Sequence, residues 1–116
     1  WLLIDIDRDK STGWEGYDYI INYVNPANGA GTVSKNVGNK WEWEEAGNFT
    51  YALKGNKMEF GMPRELLGLD GDKIDFEFKW VDNMKPKDEG VFNASLFYTC
   101  GDAAPGARFN FIYTVK

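Results

Sequence analysis

The segment Ile74-Asp75-Phe76-Glu77-Phe78-Lys79-Trp80 alternates apolar and charged residues without interruption. Successive side chains of a β-strand point to opposite faces, so this pattern predicts a strand with one buried apolar face. Burying each of its four apolar side chains would contribute roughly 1.5 to 3 kcal/mol. The charged residues between them are expected on the opposite face, in contact with water.

Runs with the same period of two occur throughout the chain, separated by glycine and asparagine. Together with the opening apolar run, they predict about nine strands, the other eight being residues 17–24, 32–37, 40–45, 49–53, 57–62, 74–80, 91–99 and 108–115. Gly55 and Asn56 both tolerate a positive φ, which predicts a tight hairpin. Many short antiparallel strands are typical of an all-β fold, and we expect an antiparallel β-sandwich, immunoglobulin-like or jelly-roll-like.

One short helical turn is expected among these strands. Pro63 stands where a first helical turn begins and Gly68 where it would end. The length of 116 residues and the hydrophobic content of 43% fit a single domain over residues 1–116. Because Trp1 opens an apolar run with no turn before it, we expect this domain to be the later part of a larger module.

The composition argues against several classes of function. The chain has no histidine, which removes the commonest general base and the commonest zinc ligand. Its 18 acidic residues outnumber its 13 basic ones, and the basic residues are scattered, so a nucleic-acid partner is disfavoured. The sequence has no apolar run of the 18 residues or more that a membrane helix needs, so no membrane insertion is expected.

Aspartates alternate at the end of the first apolar run, in the segment Leu2 to Asp9. Alternate strand residues share a face, so these carboxylates repel one another unless a cation accepts their oxygens. Calcium takes about six to eight oxygen ligands in irregular geometry, and we predict a structural Ca²⁺ site. The predicted ligands are Asp5, Asp7, Asp9 and Asp18. The alternative is a solvated acidic turn in which Asp9 caps the backbone and Arg8 and Lys10 supply compensating charge.

Aromatic residues form a second candidate site, because the C–H faces of a sugar pack on exposed indole rings while its hydroxyls bond to polar side chains. The predicted carbohydrate-binding residues are Trp14, Trp41, Asp82, Asn83 and Asp102. Trp14 lies in the loop beside the aspartates, where its ring is either a sugar platform or a lid on the core. Trp80 is assigned to the core.

No catalytic residues are predicted. Carboxylates that alternate with apolar residues, such as Glu44 and Glu77, are expected on the wet face of a sheet. A general acid for glycoside hydrolysis needs an apolar pocket that raises its pKa. The sequence shows no such pocket, and we expect no enzyme activity.

Six short motifs occur in order along the chain, namely Asp5-Ile6-Asp7, Thr12 to Asp18, Asn56 to Phe60, Met62 to Leu69, Phe78 to Asn83 and Gly101 to Asn110. Their order and spacing resemble β-sandwich modules similar to family 9 carbohydrate-binding modules. The later motifs look like the C-terminal ends of large secreted bacterial proteins related to polysaccharides. The resemblance implies a non-catalytic sugar-binding module that often contains calcium.

These inferences predict a calcium-stabilised carbohydrate-binding or substrate-targeting module. Its partner would be a polysaccharide or oligosaccharide, and its location would be secreted, periplasmic or at the cell surface. One alternative is a structural or interaction domain, accessory to a glycoside hydrolase or related surface protein, that binds no sugar itself. Another is a fragment of a glycoside hydrolase whose catalytic residues lie elsewhere. Uncovered strand edges would also predict self-association.

Overall fold

The computed structural model describes residues 1–24, 30–86 and 91–116, which form an all-β fold of antiparallel strands. The strands are β1 (Leu2–Asp5), β2 (Tyr19–Ile21), β3 (Ala30–Asn36), β4 (Trp43–Lys54), β5 (Lys57–Gly61), β6 (Ile74–Asp82), β7 (Asp102–Ala104) and β8 (Phe111–Val115). Helical structure in these residues is limited to a 3₁₀ turn (Arg64–Leu67) and α1 (Leu96–Thr99). The described part of the chain therefore has eight strands rather than about nine.

The eight strands belong to one sheet with the order β5-β4-β3-β2-β1-β6-β7. β8 pairs with the first half of β6, on the same side as β7. The sheet curls strongly, because Phe60 of β5 packs edge-on against Trp80 of β6 at 5.7 Å between ring centroids, although four strands separate β5 from β6. The described strands thus form one continuous curled sheet, and the second, separate sheet expected of a sandwich is not among them.

Both faces of the central strands are covered, so every residue of β1 and β2 is buried. The inner face of the curl is filled by a cluster of Leu2, Ile4, Tyr19, Ile21, Val33, Phe49 and Leu67. The outer face carries a second cluster of Leu3, Trp14, Tyr17, Ile20, Val81, Met84, Ala94, Leu96 and Phe97. Burial on both faces explains why the chain opens with a continuous apolar run instead of an alternating one.

β6 has the predicted alternation, and of its charged residues Asp75 is exposed, Glu77 is half-buried and Lys79 is buried. Phe76 and Phe78 pack against the inner cluster, whereas Trp80, which was assigned to the core, is 38% exposed. On the other face, Lys79 is completely buried, with its ammonium 5.0 Å from the centre of the Phe97 ring. The expectation of a wet face is wrong at Lys79 because α1 covers this side of the sheet.

The strand predicted over residues 91–99 is wrong. The side chain of Asn93 accepts hydrogen bonds from the backbone N–H and the hydroxyl of Ser95, and α1 follows directly. Asparagine favours such local turns because its side chain competes with the neighbouring strand for backbone hydrogen bonds. Leu96 and Phe97 are then buried in the outer cluster.

The two predicted local turns are confirmed. Gly55 has a φ of 61° and joins β4 to β5 with Asn56. Gly68 closes the 3₁₀ turn with a φ of 68°, and its N–H donates to the Glu65 carbonyl at 3.1 Å. Within the described residues, neither helical piece is long and apolar enough to cross a membrane.

Candidate cation site and ligand cleft

The carboxylates of Asp5, Asp7 and Asp18 meet at the rim of the sheet where β1 ends. One oxygen from each lies within 4.8 Å of the other two. The intervening loop folds back on itself, with the Asp18 N–H donating to the Ile4 carbonyl at 2.8 Å. Gly13 permits this path, because its φ is 66° and a Cβ there would lie 2.1 Å from the Tyr17 carbonyl oxygen. We call these three carboxylates the acidic triad.

The acidic triad combines three different environments. Asp5 is completely buried, Asp18 is half-buried and Asp7 is exposed. Asp18 Oδ2 accepts a hydrogen bond from the Ile6 N–H at 2.9 Å, and Asp7 accepts one from the Thr12 hydroxyl at 3.1 Å. Asp5 Oδ1 is buried without a hydrogen-bond partner among the described residues, a costly arrangement for a charged oxygen unless a ligand satisfies it.

Asp9, the fourth predicted metal ligand, does not belong to the triad. Its Oδ1 accepts hydrogen bonds from the Ser11 N–H at 2.9 Å and the Ser11 hydroxyl at 2.6 Å. Those hydrogen bonds lower the pKa of Asp9. Asp9 therefore caps the backbone, as the alternative expected. Its assignment as a calcium ligand beside the other three aspartates is corrected.

Lys10 supplies part of the compensating charge. Its ammonium donates to Asp5 Oδ2 at 2.5 Å and also to Glu77. Burial opposes the charged form of Lys10, but these hydrogen bonds outweigh burial and raise its pKa. Burial nevertheless raises the pKa of Asp5, and burial also raises the pKa of Asp18. When its three carboxylates are ionised, the triad has more negative charge than the single ammonium of Lys10, which Glu77 shares, can offset. A bound cation would neutralise that excess and favour the ionised carboxylates.

A hydrogen-bonded chain leads from Lys10 to the outer core. Glu77 accepts from the Asn110 amide at 2.8 Å, and Asn110 Oδ1 accepts from the Tyr17 hydroxyl at 2.6 Å. The hydrogen bond from Asn110 is the main reason that the pKa of Glu77 is lowered. Sequence reasoning missed Asn110, because nothing in a linear pattern connects it with Glu77.

A cleft lies at the opposite rim of the sheet, where β1 begins and β6 ends. Its volume is about 330 Å³, and it is lined by Trp1, Trp80, Val81, Asp82, Asp102, Ala103 and Ala104. Pairing of β6 with β7 places Asp82 directly opposite Asp102, and both are exposed. Reciprocal backbone hydrogen bonds hold Trp1 beside Val81, at 2.8 and 2.9 Å. We call this site the tryptophan cleft.

The other predicted sugar-binding residues are placed differently. Asn83 lines a neighbouring depression that shares Trp1 and Asp82 with the tryptophan cleft. Trp14 is only 3% exposed, and its indole N–H donates to the Phe92 carbonyl at 3.3 Å. Trp14 is therefore a core residue, and its assignment as a stacking platform is corrected.

Trp41 is half-buried, and Phe92 covers one face of its ring. The Trp41 and Phe92 rings are 4.1 Å apart and almost parallel, with 3° between their planes. The indoles that line the cleft are instead Trp1 and Trp80. Sequence reasoning did not propose either one as a ligand residue, because both stand inside apolar strand patterns.

No protein-family model matches the chain, and no curated protein or solved structure matches it either.

Proposed function

We propose that this chain is a non-catalytic carbohydrate-binding or substrate-targeting module of an exported protein, and that calcium stabilises it at the acidic triad. The tryptophan cleft is the proposed sugar site. A polysaccharide or oligosaccharide is the proposed partner.

The observation that carries this proposal is a partly exposed Trp80 in the same cleft as two opposed carboxylates. Trp80 is 38% exposed and lines the same cleft as Asp82 and Asp102. An indole packs against the apolar face of a sugar ring, and carboxylates accept hydrogen bonds from its hydroxyls. The tryptophan cleft offers both kinds of contact, and it is open enough to take one sugar unit of a longer polysaccharide.

The exposure of the same carboxylates favours binding over catalysis. Asp82 and Asp102 lie on the solvated side of the cleft, whereas a glycosidase acid needs an apolar environment that keeps it protonated near neutral pH. The proposed role of the cleft is therefore to hold a sugar without cleaving it.

The proposed calcium would act on the scaffold rather than on the sugar. The triad lies beyond the end of β1 and the cleft at its beginning, and four strand residues span about 13 Å. An ion at the triad would fix the loop from Asp7 to Asp18 against the sheet. Its proposed role is structural.

We also propose that the curled sheet is one layer of a β-sandwich. All five residues of β8 are exposed, including Phe111, Tyr113 and Val115 on the inner face of the curl. A further layer would cover these apolar side chains. The same exposure favours the alternative of an interaction domain that binds a protein surface and no sugar.

A glycan array followed by calorimetry tests the sugar site. We expect saturable binding to at least one glycan, with Trp80→Ala weakening it about tenfold through lost stacking and area burial. Asp82→Ala should also weaken binding, and Tyr98→Ala, which removes an exposed ring elsewhere, should not. A correctly folded chain that binds no glycan would reject the proposal and favour the interaction domain.

A further inference from the structure

The hydrogen-bonded chain from Lys10 to Tyr17 borders a pocket that the proposed function does not use. Its volume is about 220 Å³, and it is lined by Lys10, Glu15, Tyr17, Phe97, Arg108 and Asn110. It lies on the outer side of the sheet, between the loop before β2 and the loop before β8. We infer that this pocket is a second ligand site, which takes a single neutral pyranose ring.

The size of the pocket sets the size of its ligand. Sites for drug-sized ligands usually measure about 300 to 1,000 Å³, so a pocket of 220 Å³ admits about one six-membered ring with its hydroxyls. Tyr17 and Phe97 lie at the floor of the pocket and are only 3% and 9% exposed, so they offer little ring surface to a ligand. The ligand must therefore be held mainly by the polar groups that line the pocket.

The polar groups around the pocket keep unused hydrogen-bonding capacity. Arg108 has five N–H donors, and its contact among the described residues is a single one to Glu15 Oε2 at 3.2 Å. Lys10 has three donors and uses two, on Asp5 and Glu77. Glu15 retains Oε1 as an acceptor. Donors and acceptors thus face one small space, as a ligand with several hydroxyl groups requires.

Charge favours a neutral ligand over an anionic one. The positive charges of Lys10 and Arg108 are already paired with Asp5, Glu77 and Glu15. Glu15 is the acidic residue of the lining, and Asp5 and Glu77 already accept hydrogen bonds from Lys10. An added carboxylate would compete with these three for two positive charges, so it would gain little. Hydroxyl groups bind without that penalty.

The backbone also holds the two walls in place. Glu15 has a φ of 54° and Ala107, next to Arg108, has a φ of 56°. Residues with a Cβ adopt this left-handed conformation at a cost of about 1 kcal/mol, and the surrounding structure must compensate for it. The fold therefore fixes the positions from which Glu15 and Arg108 project.

The test is a titration of the ¹⁵N-labelled chain, followed by amide chemical shifts. The probes are the methyl glycosides of glucose, galactose and mannose at up to tens of millimolar, with sodium glucuronate as the anionic counterpart. We expect saturable shifts at Phe97 and Asn110 with at least one methyl glycoside. Arg108→Ala should weaken that binding about tenfold, and the control Arg64→Ala should leave it unchanged.

Several results would overturn the inference. These are no saturable shift at Phe97 and Asn110 in a chain that melts normally, unchanged binding by Arg108→Ala, or glucuronate binding more tightly than every neutral glycoside. Shifts confined to Trp80 and Asp82 would support the tryptophan cleft and reject this pocket. Shifts at Phe97 and Asn110 that survive Trp80→Ala would support the pocket independently of the cleft.

Discussion

Replacing Asp18 by asparagine separates a cation site from a solvated acidic turn. The substitution removes one negative charge from the acidic triad, and the carbonyl oxygen of the new side-chain amide can still accept the hydrogen bond that the Ile6 N–H gives to Asp18. If the triad is built for a cation, the variant should be more stable than the wild type without metal. It should also lose the stabilisation that calcium gives to the wild type.

The size of the effect follows from the separation of the carboxylates. At 4.8 Å, two like charges repel by about 0.9 kcal/mol in bulk water and about 3.5 kcal/mol at an effective dielectric constant of about 20. Asp7 is exposed, and Lys10 offsets part of the charge on Asp5, so the lower value applies to each pair. Asp18 faces two such partners. We therefore expect about 1 to 2 kcal/mol of relief, or about 4 to 8 °C in Tm.

Calcium should stabilise the wild type by a similar amount. Calcium sites of extracellular modules have Kd values of about 10⁻⁴ to 10⁻³ M. At about 10 mM calcium, such a site contributes about 1.4 to 2.7 kcal/mol. The assay is thermal unfolding of the wild type, Asp18→Asn and Asp9→Asn in calcium and in chelator. Asp9→Asn is the matched control, because it makes the same change in charge outside the triad.

Either of two results would refute this reasoning. The first is a wild-type Tm that does not differ between calcium and chelator. The second is an Asp18→Asn variant that melts below the wild type in chelator yet keeps the full response to calcium. In the first case the loop would be a solvated acidic turn, in which Lys10 is the described residue that forms a salt bridge to the triad. In the second case calcium would bind without Asp18, and the triad would not be the cation site.

Two further predictions concern β6 and β8. Burial lowers the pKa of Lys79 from 10.5 to about 8, so the folded state binds fewer protons than the unfolded state between these pH values. The unfolding free energy should therefore rise between about pH 8 and pH 10, by at most about 3 kcal/mol, and urea titrations of Lys79→Met should show no such rise. β8 is an exposed edge strand, and Ile112 is 57% exposed, so light scattering should show the wild type self-associating as its concentration increases. Ile112→Lys should remain monomeric. A wild type that stays monomeric would contradict the prediction that β8 self-associates.

Local sequence signals predicted local structure well. The hairpin at Gly55 and the turn that ends at Gly68 need only a residue that tolerates a positive φ. The alternation in β6 placed Phe76 and Phe78 on one face correctly. The prediction over residues 91–99 failed because Asn93 competes locally for the backbone hydrogen bonds that a strand would have used.

In the candidate sites too, the sequence predicted neighbouring residues correctly and missed contacts between distant ones. Asp5, Asp7 and Asp18 could be found from the sequence, because two alternate along a strand end and the third follows the same turn. Glu77 and Asn110 could not be found, since their contact joins residues 33 positions apart. The expected exposure of Trp14 and the expected burial of Trp80 were both wrong for a related reason. Both are tryptophans in or beside strands, and only the packing around each ring decides which is exposed.

The sequence by itself determined an all-β chain without histidine, whose aspartates gather after its first apolar run. Those features depend on residue type and short-range periodicity, which act within a few positions. Only the tertiary structure decided that the strands form one curled sheet, that Lys79 is buried beneath α1, and that Trp80 faces solvent near Asp102. The physical reason is that burial depends on which distant segment covers each face of the sheet, and two-residue periodicity marks a face without showing what packs on it.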